Sequence, residues 1–331
     1  MNTGLNIGYS HTKAIANVNG DLRQVHFPSV VGSPDEVHWS PGFGQNGVRS
    51  IRLVEPEPVL IGEEAILQSR FLNRREDRSW VTSREWYLLA LAALSELTRV
   101  STTISVVTGL PVAYFNDRDA VQAALTGTHR VQQDGRNAQT LTIDKVAVIP
   151  EPYGTLFDLL WDNRGQVADA SIATGFFGII DCGGKTTNLL TVNRCHEIGR
   201  NTTSIPVGVW DAVRAMRAHL EDYCAGLELR DHQVVQALID RKVRYRGDDV
   251  DLRHATATIL AELAGQIAGQ VTQIWSGMAN MDAVLITGGG ALLFGPALTA
   301  RVDFTQTRIV RDPVFANARG FWKYAQHRSK A

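Results

Sequence analysis

The sequence has few cysteines and no pattern that would pair them or bind a metal. Cys182, Cys195 and Cys224 are odd in number, and no C-x-x-C pair is present. This argues against a disulfide framework and against a zinc cluster, so a reducing cytoplasm is expected. The first residues lack the basic start and the apolar run of a secretory signal.

The sequence also lacks an excess of either positive or negative charge. Thirty-three basic and 34 acidic side chains give a formal net charge of -1. No global field would attract DNA or an acidic membrane, so we expect no direct nucleic-acid binding. One uncharged stretch, 283–300, raises the question of a membrane span. Three glycines and Pro296 interrupt it, which predicts a strand, a glycine loop and a short helix instead.

Length and patterning predict a two-domain α/β protein. At about 150 residues per domain, 331 residues give about two domains. β-Branched runs at 103–109 and 140–149 alternate with a helical pattern at 83–98, which favours an α/β fold. Two strand-loop-strand openings, at Leu5 and at Gly175, indicate a duplicated domain.

The first opening contains a candidate phosphate loop between Asn6 and Lys13. Gly8 allows backbone N–H groups to approach an anion, Ser10 and Thr12 add hydroxyls, and Lys13 adds a positive charge. A plain hairpin turn with a surface lysine is the alternative.

The second opening repeats this chemistry between Asp181 and Asn188. Asp181 follows an apolar strand, where a buried carboxylate needs a cation, and Mg²⁺ held through water is the best candidate. An exposed aspartate in an Asx turn is the alternative. The glycines of this loop are Gly183 and Gly184.

A third candidate is the strand that runs into Gly288, Gly289 and Gly290 and then into a helix. Its backbone can lie against a ligand, and a helix N-terminus favours negative charge. Each glycine loop is weak evidence by itself, since the sequence has neither G-x-x-x-x-G-K-[ST] nor G-x-G-x-x-G.

The order of these loops resembles the actin-like ATPase superfamily. The loops at 6–13 and 181–188 are similar to its two phosphate motifs, 287–291 to its adenosine motif, and 149–154 to its first connecting segment. The segment Phe315-Ala316-Asn317-Ala318-Arg319-Gly320 is similar to the closing segment of plasmid-segregation actins of the ParM type and of related archaeal proteins.

The resemblance implies an α/β fold with two actin-like (RNase H-like) domains around a nucleotide cleft. The expected domains are 1–165 and 166–312, with a C-terminal helix in 313–331 that packs back on the first domain. The expected ligands are ATP or GTP with Mg²⁺. Glu151 and Asn188 would orient the water for hydrolysis, and Asp181 would hold Mg²⁺ through water. The residues expected to bind the nucleotide are Asn6, Gly8, Ser10, Thr12, Lys13, Gly183, Gly184, Lys185, Thr186, Thr187, Gly208, Gly288, Gly289 and Gly290.

Position 6 departs from the superfamily pattern, which normally has Asp at this place. Asn6 can still bond to Mg²⁺-bound water but brings no charge, so slow or altered hydrolysis is one expectation. For Glu151 the alternative is an exposed loop acid between two prolines.

The function implied by the resemblance is a cytoplasmic ATPase that forms nucleotide-dependent filaments and moves plasmid DNA through a DNA-binding adaptor protein. The expected partners are other copies of the chain and that adaptor, with no membrane. Two alternatives stay open: a non-polymerising small-molecule kinase of the same superfamily, and a nucleotide-binding scaffold with little hydrolysis.

Overall fold

The computed structural model describes residues 1–34, 51–73, 77–277, 280–304 and 306–330. The chain divides into two compact units. The first consists of Met1–Asp169 with Asn317–Ala331, and the second of Ala170–Ala316. The boundaries expected from the sequence, after residues 165 and 312, lie a few residues earlier. Strands and helices alternate in both units, and the expected α/β class with two domains is confirmed.

Ten strands form the sheet of the first unit, counted over the residues that the structure describes. They are β1 (Asn2–Ile7), β2 (His11–Val18), β3 (Asp21–Pro28), β4 (Val31–Gly32), β5 (Ile51–Glu55), β6 (Val59–Ile61), β7 (Leu72–Asn73), β8 (Thr102–Leu110), β9 (Gly127–Gln133) and β10 (Gln139–Pro150). Their order is β3-β2-β1-β8-β10-β9-β5-β6-β4-β7.

The described part of the second unit has a six-stranded sheet and a separate two-stranded one. The strands are β11 (Phe176–Cys182), β12 (Thr187–Asn193), β13 (His196–Glu197), β14 (Thr203–Ile205), β15 (Lys242–Tyr245), β16 (Asp248–Asp251), β17 (Ala283–Thr287) and β18 (Thr307–Ile309). The larger sheet has the order β13-β12-β11-β17-β18, with β14 paired to β12, and β15 pairs with β16.

Helices connect and cover these strands. They are α1 (Glu63–Gln68), α2 (Arg84–Thr98), α3 (Arg118–Leu125), α4 (Pro152–Leu160), α5 (Ala170–Thr174), α6 (Val209–Tyr223), α7 (Asp231–Asp240), α8 (Arg253–Ile274), α9 (Ala291–Thr299) and α10 (Ala316–Arg328), with short 3-10 helices at Arg78–Thr82, Val112–Asp117 and Gly199–Asn201. Over the described residues, none of them is long and apolar enough to span a membrane.

Parallel pairing sets the edge of each sheet at which loops can meet. In the first unit, β1 and β10 both run parallel to β8, so the carboxyl ends of the three strands lie at one edge. In the second unit, β11, β17 and β18 are parallel neighbours. In open α/β sheets ligands bind outside the carboxyl ends of such strands. The Asn-Gly pair at 19–20 predicts a tight turn, and the structure has one between β2 and β3, with positive φ at Asn19 and Gly20.

Each unit has its own apolar core. In the first unit, α2 is buried along nearly its whole length, and the Ser83 hydroxyl caps it by accepting from the Trp86 N–H. In the second unit, Trp210 and Met216 of α6 pack with Ile267 of α8 and Phe294 of α9. These cores give the rigid support that a ligand-binding loop requires.

Candidate functional site

The first candidate loop is a hairpin at the carboxyl end of β1. Ile7 pairs with Thr12 and Asn6 pairs with Lys13 across β1 and β2. The Gly8 N–H donates to the His11 carbonyl oxygen at 3.2 Å and closes the loop. A methyl group on Gly8 would lie 3.5 Å from that oxygen, which is ordinary contact. The fold therefore does not itself require glycine at this position.

The second candidate loop repeats this geometry. Cys182 pairs with Thr187 and Asp181 pairs with Asn188 across β11 and β12. The Gly183 N–H donates to the Thr186 carbonyl oxygen at 2.8 Å. The sequence predicts that the strand ends at Ile180, but it continues to Cys182. Asp181 and Asn188 therefore belong to the strand ladder and are not loop residues.

The strand registers of the two hairpins show which of their positions are equivalent. Asn6 is equivalent to Asp181, and Lys13 is equivalent to Asn188. The predicted duplication is therefore present at the two loops. It also shows an exchange of charge, since the first hairpin has a neutral residue opposite a lysine, while the second has a carboxylate opposite a neutral residue.

Two of the expected phosphate-binding hydroxyls are bonded inside the protein. Thr12 and Thr187 occupy equivalent positions, and both are fully buried. The oxygens of the Thr12 and Ser29 hydroxyls lie 2.9 Å apart, and the Thr187 hydroxyl donates to the Val207 carbonyl oxygen at 2.8 Å. These side chains fix the base of each hairpin. Ser10 is partly exposed at the tip of the first loop, so its hydroxyl remains a candidate phosphate ligand.

Asp181 lies at the carboxyl edge of the second sheet and is 4% exposed, so an exposed Asx turn is excluded. Thr287 is its neighbour in register on β17. Gly288 has φ +86° and lies against the carboxylate, because a methyl group there would approach Asp181 Oδ1 to 2.3 Å. Burial, followed by the charge of Asp181, raises the pKa of the Cys182 thiol, so Cys182 is not a nucleophile at neutral pH.

The three glycines after β17 have different environments. The Gly288 N–H donates to the Pro313 carbonyl oxygen at 3.2 Å, and the Gly290 N–H donates to the Cys182 carbonyl oxygen at 2.8 Å. Both residues are buried, and side chains there would collide with Cys182. Gly289 is exposed, and a methyl group on it would meet nothing within 4 Å. Only Gly289 is therefore unexplained by packing.

Gly208 lies at the start of α6, which holds the second loop in place. The Val209 and Trp210 N–H groups donate to the Gly183 and Gly184 carbonyl oxygens at 3.2 and 2.8 Å. A methyl group on Gly208 would lie 2.5 Å from the Gly184 oxygen. Packing on the loop thus explains this glycine. The ribose contact implied by the resemblance stays a prediction, as does a ligand role for Lys185 and Thr186.

Glu151 follows β10 and is buried, so the alternative of an exposed loop acid is wrong. Its N–H donates to the Leu110 carbonyl oxygen at 2.8 Å, which ties it to the end of β8. The Asn6 amide donates to Glu151 Oε1 at 3.0 Å. Asn6 and Glu151, 145 residues apart, therefore meet at the carboxyl edge of the first sheet.

Tyr9 and Thr287 also lie at these edges, within segments 6–13 and 287–291, although the sequence predicts no role for either side chain. The Tyr9 hydroxyl donates to the Asp77 carbonyl oxygen at 3.1 Å, and its ring stacks on Trp80. Burial, followed by the neighbouring Tyr114, raises the pKa of the Tyr9 hydroxyl, so it stays protonated. An aromatic residue inside a glycine loop and a threonine directly before three glycines were the available signals.

Comparison with known proteins gives two family matches. The family described as "Actin like proteins N terminal domain" matches residues 4–154, and "Archaeal actin homologue MreB-like, C-terminal" matches residues 179–300. Proteins named "Archaeal actin homolog" from Thermoplasma volcanium and Thermoplasma acidophilum are each 25% identical to this chain. In both cases the match covers 96% of this chain and 96% of the relative.

Solved structures of the same kind share the fold. A native crystal structure of an archaeal actin homolog has a TM-score of 0.82 at 22% identity, covering 98% of this chain and 99% of the other. A 15-stranded ParM filament structure from Clostridium botulinum has a TM-score of 0.81 at 21% identity, covering 98% of each chain. An archaeal actin homolog in complex with ADP has a TM-score of 0.79 at 22% identity, covering 98% and 99%.

Proposed function

This chain belongs to the actin-like superfamily, and from that premise we propose that it is an ATPase that forms nucleotide-dependent filaments. The observation that carries the proposal is the pair of equivalent glycine hairpins, which follow β1 and β11 at the carboxyl ends of the parallel strands of their sheets. A related structure contains ADP and another is a filament, which supports a bound nucleotide and self-association.

In this proposal the two hairpins are phosphate-binding loops for ATP or GTP. The first hairpin contributes Gly8, Ser10 and the positive charge of Lys13. The second contributes Gly183, Gly184 and Thr186. Backbone N–H groups of glycine loops are effective anion donors because no side chain blocks their approach. Gly289 is the exposed residue of the third loop, so we assign it to the adenosine.

The edge at Asp181 fits Mg²⁺ that keeps several waters. Mg²⁺ takes oxygen ligands and usually combines one or two carboxylates with substrate phosphates. Over the described ranges, no group of three or more His, Cys, Asp or Glu side chains could hold a metal. We therefore assign the ion to Asp181 through water and to the phosphates, whose charge it would neutralise. We do not extend the assignment to Asn6, whose amide is bonded to Glu151.

Hydrolysis requires a positioned water and a group that takes its proton. Glu151 is a buried carboxylate at the end of a rigid strand, which suits both tasks. The water oxygen forms a bond to the γ-phosphorus while the bond from that phosphorus to the bridging oxygen breaks, and the proton passes to Glu151. The products are the nucleoside diphosphate and inorganic phosphate. Asn188 accepts from the Ser204 hydroxyl at 2.7 Å, which holds its amide in one orientation, and we propose it as a second water-orienting side chain.

The biological setting of the proposal is filament growth in the cytoplasm, coupled to plasmid DNA through an adaptor protein. A head-to-tail contact that does not close into a ring gives a filament, and nucleotide can bias such a contact between two states. The similarity of the closing segment 315–320 to ParM-type proteins is what favours plasmid segregation.

Light scattering and pelleting after addition of ATP or GTP with Mg²⁺, combined with a phosphate-release assay, test the proposal. We expect pelleted protein and released phosphate. Asp181→Ala should lower phosphate release by about a hundredfold or more, because the carboxylate that would hold Mg²⁺ beside the phosphates is lost. Asp222→Ala, which removes an exposed carboxylate on α6, is the matched control and should match the wild type.

Other outcomes identify the alternatives. A phosphorylated small molecule without pelleting would indicate a kinase, and nucleotide binding without pelleting or phosphate release would indicate a scaffold. Equal turnover in the wild type and in Asp181→Ala would contradict the role assigned to Asp181.

A further inference from the structure

A buried hydrogen bond connects Asn6 to Glu151. The Asn6 Nδ2 group donates to Glu151 Oε1 at 3.0 Å, and the two residues are 6% and 8% exposed. A carboxylate taken out of water is costly unless hydrogen bonds replace its hydration. The Asn6 amide supplies such a bond from a neutral group, so it adds no charge to the site.

The fold fixes the backbone at both ends of this bond. Asn6 lies in β1 and Glu151 follows β10, and both strands flank β8 in parallel. The Glu151 N–H is bonded to the Leu110 carbonyl oxygen. Gly109 has no side chain, and a methyl group there would approach Glu151 Cγ to 3.0 Å. With both backbones fixed, the identity of residue 6 decides how the Glu151 carboxylate is held.

The second unit provides an internal comparison. The position equivalent to Asn6 is occupied by Asp181, a carboxylate. A carboxylate at position 6 would stand about 3 Å from Glu151 in a buried place, and like charges that close raise the pKa of one of them. Such a pair requires a shared proton or a cation. The amide at position 6 removes this requirement.

We propose that Asn6 is a positioning residue for Glu151, which holds its carboxylate in one orientation through their buried hydrogen bond. This inference rests on the proposed function, because it gives Glu151 the role of taking the proton from water. Among the described residues, Lys13 is opposite Asn6 on β2, and Tyr9, whose hydroxyl stays protonated, interacts electrostatically with Glu151. Asn6 acts through Glu151 and is not assigned to the nucleotide or the metal.

A swap of the two side chains tests the bond without any nucleotide. Asn6→Asp should melt below the wild type at pH 7, because it adds a second buried carboxylate beside Glu151, and the single charge of Lys13 opposite position 6 does not balance two carboxylates. The double variant Asn6→Asp/Glu151→Gln should recover most of the loss, since the new glutamine amide can donate to the new aspartate. Glu151→Gln alone leaves two amides and serves as the second corner of the cycle.

The effect of Mg²⁺ on the melting temperatures of the same variants is a second test. Millimolar Mg²⁺ without nucleotide should raise the melting temperature of Asn6→Asp, because a cation relieves the carboxylate pair. It should leave the wild type and the double variant unchanged. Asn2→Asp, on the same strand and away from Glu151, is the matched control for an added carboxylate. If Asn6→Asp does not fold, the kinetic test with Asn6→Ala and Asn6→Ser decides.

Steady-state kinetics show whether Asn6 positions Glu151 for hydrolysis or only stabilises the fold. Asn6→Ala should lower kcat by roughly tenfold to a hundredfold, while KM and the affinity for a non-hydrolysable ATP analogue stay within about twofold. Asn6→Ser, which keeps a hydroxyl donor, should recover part of kcat. The double swap should recover stability but not hydrolysis, because it lacks the Glu151 carboxylate.

Two results would overturn the inference. One is an additive thermal cycle, in which the double variant is as destabilised as the two single changes together. The other is an unchanged kcat in Asn6→Ala. Failure of the proposed function is distinguishable, since the wild type would then release no phosphate at all. That result would also remove the positioning role, whereas a wild type that hydrolyses ATP while Asn6→Ala keeps its kcat would remove the inference alone.

Discussion

At the scale of single residues, the glycines of β1, of the loop that follows it and of the loop after β17 fall into two groups. Gly4 and Gly288 are required by the fold, since methyl groups there would approach Ala318 O to 2.0 Å and Asp181 Oδ1 to 2.3 Å. Gly8 and Gly289 have room for a side chain and lack positive φ. A glycine that packing does not require is a residue at which a ligand can explain the lack of a side chain.

This difference gives a paired prediction for β1 and its loop. Gly8→Ala should keep the melting temperature of the wild type within a few degrees and weaken ATP binding by about tenfold, because the methyl group obstructs the phosphates. Gly4→Ala, four residues earlier and inside β1, should lower the melting temperature strongly. Thermal unfolding and nucleotide titration measure both effects. Unchanged ATP affinity in Gly8→Ala would remove this loop from the site.

The sequence predicts which segments are glycine loops, but not which glycine is open. Gly4 is confined by Ala318 and Trp322, which are more than 300 residues away along the chain. Likewise the sequence leaves open whether Glu151, which lies between two prolines, is exposed, and the structure shows it buried beside Asn6. Local residue types fix the chemistry of a loop, whereas burial depends on distant segments that no spacing rule includes.

At the scale of elements, α10 is bound to α4 within the first unit by close backbone contact. A methyl group on Gly320 would lie 1.6 Å from the Gly154 carbonyl oxygen. Asn317 Oδ1 accepts from the Thr155 N–H and hydroxyl at 3.1 and 2.8 Å. Arg319 makes a two-pronged ion pair with Asp158 at 2.8 and 2.6 Å. The asparagine, arginine and glycine of the closing segment thus have a packing reason.

The helix itself is predictable and its partner is not. The sequence predicts a helix over 315–326, and the structure has Ala316–Arg328. That prediction follows from periodicity, which is local. The contact with α4 depends on two glycines that face each other across a crossing of helices, and neither position shows this by itself.

The close contact between α4 and α10 predicts that a glycine-to-alanine substitution destabilises the protein at position 320 and stabilises it at position 269. Gly320→Ala should lower the free energy of unfolding by about 3 kcal/mol, because the helices must move apart. Gly269→Ala, on an open face of α8, should raise it by about 0.5 to 1 kcal/mol through better helix propensity. Urea denaturation measures both. Shifts of the same sign would contradict the contact between α4 and α10.

At the scale of the whole molecule, the chain uses one hairpin design twice with different charges. The first unit carries a lysine at the position where the second carries Asn188, and the second carries Asp181 where the first carries Asn6. Duplication predicts two similar loops from sequence. It does not predict self-association, because a filament contact requires only a surface that complements another part of the same molecule.

Glu151→Gln separates assembly from hydrolysis at this scale. The variant keeps a side chain of the same size at the end of β10 but cannot take a proton, so we expect normal ATP-dependent pelleting with phosphate release at least about a hundredfold slower. If hydrolysis drives disassembly, light scattering of the wild type should rise and then decay, while that of Glu151→Gln should rise and persist. Glu221→Gln, an exposed acid on α6, should behave as the wild type. Decay at the wild-type rate in Glu151→Gln would show that filament turnover does not depend on this carboxylate.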